Sequence, residues 1–133
     1  MSAAVADQDI GDIVCQVVAE ALGRDVEVRV TSNLMDDLGA ESLDFLDIVF
    51  KLEQTFGIQI TRGEMERAAK GDMSDEDFAP GGVISDAGLQ RLRELMPEAA
   101  HRINAGLRPM QILSLFSVQT FVNIVNAKRA AAQ

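Results

Sequence analysis

The spacing of apolar residues constrains this chain more than any other feature. Ile10, Ile13, Val14, Val17, Val18, Ala21 and Leu22 recur at three- and four-residue intervals, which lines them along one stripe of an α-helix. Gly23 follows at once and supplies the left-handed residue that commonly ends a helix. A second helix is predicted over residues 42–56, where Asp44, Asp47, Lys51 and Gln54 form one narrow polar stripe and most other positions are apolar. Such a balance predicts a helix wrapped on most sides by other elements. Ser42 stands in its first turn, Gly39 bends the chain just upstream, and Gly57 closes it. A last helix is predicted from a Ser117 cap, with Val118, Phe121, Val122, Ile124 and Val125 apolar and a basic, Ala-rich tail at Lys128 and Arg129. Residues 26–30 alternate apolar and charged side chains but run into Thr31-Ser32-Asn33, so an extended loop is expected there rather than a strand.

Residues 61–116 have a different texture. Residues 62–70 fit one short helix, and 71–82 (with Asp72, Asp75, Glu76, Asp77, Pro80 and Gly81) reads as a mobile loop. Ser85 then caps a helix with Leu89, Leu92, Leu95 and Met96 as its stripe, and Pro97 opens another short one. No internal repeat is present. The expectation is an all-α chain of four or five helices without a substantial sheet.

Composition excludes several classes of function. Hydrophobic residues make up 47% of the 133 positions, enough for a packed core. Twenty-one acids against 12 bases give a net charge of −9, which disfavours nucleic acid, because Lys and Arg must neutralise its phosphates. Cys15 is the only cysteine and His101 the only histidine, so no intramolecular disulfide, cysteine-based zinc framework or multi-histidine metal site can form. Cys15 lies on the flank of the first helix, where a half-buried structural thiol is expected. The first twelve residues lack a basic n-region and an apolar h-region, and no apolar run approaches a membrane span. A cytoplasmic protein is therefore expected, with no transmembrane segment.

The charge is concentrated. Residues 1–60 hold twelve acids and three bases, whereas the remainder is neutral, so one part of the chain works electrostatically. Around Ser42 the sequence reads Asp36-Asp37-Leu38-Gly39-Ala40-Glu41-Ser42-Leu43-Asp44. Taken alone, Ser42 fits a helix N-cap. A serine nucleophile fits less well: Ala40 and Asp44 break any Gly-x-Ser-x-Gly elbow, and His101 is more simply a solvated or packed histidine. The Asp-rich residues 72–77 lack the ligand spacing and terminal Glu of an EF-hand.

This turn, its continuation through Phe45-Leu46-Asp47-Ile48-Val49-Phe50 and Glu53-Gln54-Thr55-Phe56-Gly57-Ile58, and the run Ser117–Val125 together resemble the acyl carrier protein family. The resemblance covers about residues 7–60 and 117–127. The family's usual Asp-Ser-Leu is Glu-Ser-Leu here, which keeps the negative charge. It implies one domain over 1–133: an acyl-carrier-like four-helix bundle (core 7–60 and 117–128) with an additional helical insertion over 61–116. It also implies 4′-phosphopantetheine attached covalently to Ser42, and a monomeric, non-enzymatic carrier. The partners implied are a phosphopantetheinyl transferase, an acyl-ACP synthetase, ketoacyl synthases and acyltransferases with basic docking patches. Asp36, Asp37, Glu41, Leu43, Asp44, Asp47, Phe50 and Glu53 would form the recognition surface, with Phe50 equally open to a place in the core. The long insertion resembles that of specialised carriers, such as those for very-long-chain or modified fatty acids in lipid synthesis. The alternatives are an unmodified acidic adaptor or regulatory subunit, and a carrier for polyketide or secondary-metabolite synthesis.

Overall fold

The computed structural model describes residues 7–23, 27–60 and 63–131. Among these the fold is all-α, as the apolar spacing predicts. Its helices are α1 (Asp7–Leu22), α2 (Ser42–Phe56), α3 (Glu64–Lys70), α4 (Asp75–Phe78), α5 (Asp86–Leu95) and α6 (Val118–Ala131), with 3-10 segments at Pro80–Gly82, Pro97–Arg102 and Pro109–Leu115. The one pairing of extended backbone among the described residues is an isolated antiparallel bridge between Asn33 and Ser117. No described helix is long and apolar enough to cross a membrane. The chain divides into two compact units, residues 1–60 with 116–133, and residues 61–115.

In the first unit α1 packs against both α2 and α6. Ile10, Val14, Val17, Val18 and Leu22 of α1 are buried with Phe45, Ile48 and Leu52 of α2 and Val118, Phe121, Val122 and Val125 of α6. The stripe read from the sequence is therefore the stripe that meets its partners. Three rings fill the middle: Phe116 stands edge-on to Phe45 at 6.1 Å between centroids and to Phe121 at 5.5 Å, an arrangement worth more than area burial alone. The Arg129 guanidinium lies 5.9 Å from the Phe56 ring centroid and joins the ends of α2 and α6. Gly57 ends α2 at φ 66°, in the left-handed region. The segment before the bridge is a loop, as expected, and Val26 lies outside the described residues. This loop caps α6: Val118 N–H donates to the Ser32 carbonyl (3.0 Å) and Gln119 N–H to that of Val30 (2.8 Å), filling first-turn donors that the helix cannot satisfy itself.

The second unit is built from shorter pieces. Residues 71–82 are not the mobile loop that their Asp, Pro and Gly content suggests. Ser74 Oγ accepts the Asp77 N–H at 3.0 Å and starts α4, and Phe78 at its end is buried. One buried ring anchors the whole turn. Ser85 caps α5 by accepting the Gly88 N–H at 3.2 Å. A Cβ on Gly88 would lie 2.7 Å from Ile84 Cγ2 and 2.8 Å from Phe78 Cε1, so only glycine admits this approach. Leu89, Leu92 and Met96 are buried as their stripe predicts, whereas Leu95 faces solvent. Pro97 opens a 3-10 segment rather than an α-helix. The segment Pro109–Leu115 was not legible in the sequence; it buries Ile112 and Leu115 at a three-residue spacing, which is the 3-10 period. Three arginines hold these pieces by donating to backbone carbonyls: Arg91 to Ala68 (3.3 Å), Arg93 to Ile103 (3.0 Å) and Arg102 to Ser114 (3.2 Å).

Candidate functional site

The turn that leads into α2 is wound on itself. Asn33 accepts twice through its backbone carbonyl, from the N–H groups of Asp37 (2.9 Å) and Leu38 (3.2 Å). Its side-chain Oδ1 takes the Asp36 N–H at 2.7 Å, and its own N–H donates to Asp37 Oδ2 at 2.7 Å. Gly39, at φ 69°, makes the reversal that a residue with a Cβ would resist. Ala40 N–H then returns to the Leu34 carbonyl at 2.8 Å. Leu34, Leu38 and Ala40 are buried, so the turn is fastened to the core on its inner side. Its outer side delivers Glu41 and Ser42.

Glu41, in extended backbone conformation, is the N-cap of α2. Its N–H donates to Asp44 Oδ2 at 2.8 Å, and Asp44 N–H donates back to the Glu41 carbonyl at 2.9 Å. Ser42 is thus the first helical residue and not the cap. Its side chain is exposed and has no hydrogen-bond partner among the described residues. The N–H groups of Ser42 and Leu43, in the first turn, have no carbonyl one turn earlier in the helix to bond, and they lie at the positive end of its dipole.

Along α2 the structure departs from the expected wrapping. Only Phe45, Ile48 and Leu52 are fully buried. Leu43 is 75% exposed, Phe50 58% and Leu46 47%. These three residues sit at i, i+3 and i+7 and form an apolar stripe on the outer face below Ser42. Phe50 therefore lies outside the core. Leu46 belongs with it and was missed, because periodicity marks apolar positions without saying which of them find a partner. Asp36, Asp37, Glu41 and Asp47 are also exposed, while Asp44 and Glu53 are half-buried. The acids divide by what they touch. Asp37 and Asp44 accept backbone N–H groups of the turn and cap, and Glu53 Oε2 accepts the Ile60 N–H at 2.9 Å. Asp47 has no such bond among the described residues.

The remaining candidate side chains are His101 and Cys15. His101 is exposed, on the 3-10 segment Pro97–Arg102. Cys15 is half-buried on α1; burial, and to a smaller degree the charge of Asp12, push its thiol pKa up. A raised pKa keeps the thiol protonated and unreactive at neutral pH.

A family model for the phosphopantetheine attachment site matches residues 12–69. The match takes in most of α1, the wound turn, Ser42 and all of α2, and runs on to Ala69 in α3. It stops short of α6, although α6 packs against α1 and α2. The acyl carrier protein AcpXL of Rhizobium meliloti (strain 1021) is 39% identical over 69 residues, which are 50% of this chain and 73% of that protein. An acyl carrier protein of Clostridium acetobutylicum (strain ATCC 824) is 37% identical over 54 residues, 40% of this chain and 70% of that protein. No solved structure matches the chain. With a matched attachment region and relatives covered over most of their own length, this chain belongs to the acyl carrier protein family, whose members are carriers modified with 4′-phosphopantetheine.

Proposed function

We propose that this chain carries acyl groups on a 4′-phosphopantetheine arm attached to Ser42. One observation supports this reading above the rest. At the start of α2 the capping task is taken by Glu41 and Asp44, which leaves an exposed hydroxyl with no hydrogen-bond partner among the described residues. A serine already engaged as N-cap would have to give up that bond on modification. The surroundings suit the group. A phosphodiester on Ser42 Oγ meets first-turn N–H groups and the favourable end of the helix dipole, worth about 0.3–1 kcal/mol. That helps hold the arm near the helix and is too small to drive its attachment, so a separate phosphopantetheinyl transferase supplies the chemistry. When bound, the arm offers a terminal thiol on which acyl groups are held as thioesters.

The outer face of α2 would then be the surface that partner enzymes read. Leu43, Leu46 and Phe50 offer apolar contact, and Asp36, Glu41 and Asp47 beside them are exposed acids. An acyl-ACP synthetase, ketoacyl synthases and acyltransferases with basic patches would dock there. Charges of this kind raise association rate and set orientation more than affinity, which suits a carrier that must leave each enzyme quickly. The unit formed by residues 61–115 favours a specialised pathway for a very-long-chain or modified acyl group in fatty acid or lipid synthesis. In this reading the chain is one carrier domain with an insertion, working as a cytoplasmic monomer and catalysing no step itself.

Intact mass spectrometry after co-expression with a phosphopantetheinyl transferase tests the assignment. The expected result is one added arm on the wild type and none on Ser42→Ala. An unmodified wild type would favour the acidic adaptor reading, and an arm that persists in Ser42→Ala would move the site elsewhere. The acylated form isolated from its natural source identifies the acyl group by mass.

A further inference from the structure

We infer that Asp37 is a positioning residue for Ser42 and not one of the charges that partners read. The inference rests on Ser42 as the modified residue. By position and charge Asp37 looks like a docking acid: it is exposed and five residues ahead of the serine. Its bonding says otherwise. Asp37 Oδ2 accepts the Asn33 N–H at 2.7 Å, while the Asp37 N–H donates to the Asn33 carbonyl at 2.9 Å. These reciprocal bonds close the first loop of the turn. Asn33 is itself nine-tenths buried and secures the adjacent residue by accepting the Asp36 N–H at 2.7 Å. Behind the clamp, Leu34 N–H donates to the Phe116 carbonyl at 3.0 Å, and Asn33 pairs with Ser117 at the entrance to α6. The chain from Asn33 to Ala40 is thereby fixed at both ends, and only Glu41 separates Ala40 from Ser42. A carboxylate accepting from a backbone N–H forms a strong, charge-assisted bond, and here that bond sets where the helix carrying the hydroxyl begins. Asp47, exposed on α2 without a partner among the described residues, provides the contrasting docking charge.

The two roles separate under substitution. Asp37→Asn keeps an oxygen that can accept the Asn33 N–H and removes the charge; Asp37→Ala removes both. In transfer of the arm to the apo-protein, Asp37→Asn is expected to stay within about twofold of wild type in kcat and KM. Asp37→Ala is expected to lose about tenfold, mainly in kcat, at low and high salt alike, as expected for one charge-assisted bond. Asp47→Asn should instead raise KM, with a difference that fades as salt screens it. A second readout needs no modification: amide hydrogen exchange at Asn33 in the apo-protein should accelerate about tenfold in Asp37→Ala and little in Asp37→Asn. Equal rises in KM for Asp37→Asn and Asp37→Ala, abolished by salt, would overturn the assignment and make Asp37 a docking charge. Unchanged Asn33 exchange in Asp37→Ala would overturn it too. If the wild type accepts no arm at all, the reading of Ser42 fails, while the exchange measurement still decides whether the clamp exists.

Discussion

The two units use charged side chains in opposite directions. In residues 61–115 exposed Arg91 and half-buried Arg93 and Arg102 donate to backbone carbonyls of their own unit. Short helices and 3-10 segments leave many backbone carbonyls without intrahelical partners, and guanidinium groups close those gaps. The first unit has three long helices whose backbones are largely self-satisfied, so fewer of its charges are needed inside. Its acids split: Asp37, Asp44 and Glu53 bind backbone N–H groups, while Asp47 faces outward beside an exposed apolar stripe. A net charge is thus no measure of a recognition surface until the acids that serve as frame have been subtracted.

Each unit buries its own set of apolar side chains, so core substitutions carry the largest expected effects. Phe121→Ala removes a ring that touches both Phe45 and Phe116, at an expected cost of about 3–5 kcal/mol. Denaturant unfolding should show the loss, with faster amide exchange in α1, α2 and α6. Gly88→Ala strikes the other unit. Its new Cβ would press on Ile84 and Phe78 at under 3 Å, for an expected cost of about 1–3 kcal/mol. Exchange should accelerate at Leu89 and Leu92 and stay unchanged at Val14 and Ile48. If either substitution loosens both sets of amides equally, the two cores are one cooperative structure and the contrast falls.

The two units also differ in how far the sequence revealed them. The boundaries of α2 and α6 were legible because each joins a long periodic run to a local signal: Gly57 for one and Ser117 for the other. In the second unit structure depends on single residues inside polar stretches. Phe78 organises a segment that otherwise reads as loop, and the three-residue spacing of Ile112 and Leu115 falls outside the helical period that a pattern search detects. Around Ser42, the exposed apolar face of α2 was not legible in the sequence. Leu46 carries the same hydropathy as buried Leu52, and only the placement of α1 and α6 decides which is covered. The split between acids that bind backbone N–H groups and acids that do not was hidden for the same reason. Asp37 and Asp47 are chemically identical until the turn brings the Asn33 N–H to one of them.

The smallest expected effect concerns Cys15, the titratable group that burial shifts among the described residues. Its thiol pKa is raised, first by burial and then by the neighbouring charge of Asp12. In the folded state the neutral thiol is favoured, so the folded pKa lies above that of the unfolded chain, about 8.5. The sign follows from proton linkage: the contribution to stability is full below the unfolded pKa and is lost as pH rises through the folded one. Wild type should therefore lose stability on the alkaline side in a way that Cys15→Ala does not, seen as a difference in denaturant midpoint that shifts only above about pH 8.5. Alkylation of the native thiol should be slow at neutral pH and speed up across the same alkaline range, while the unfolded chain reacts at an ordinary rate. Fast alkylation of the native protein at pH 7 would show that α1 opens readily around Cys15, and the first unit would then be the looser of the two.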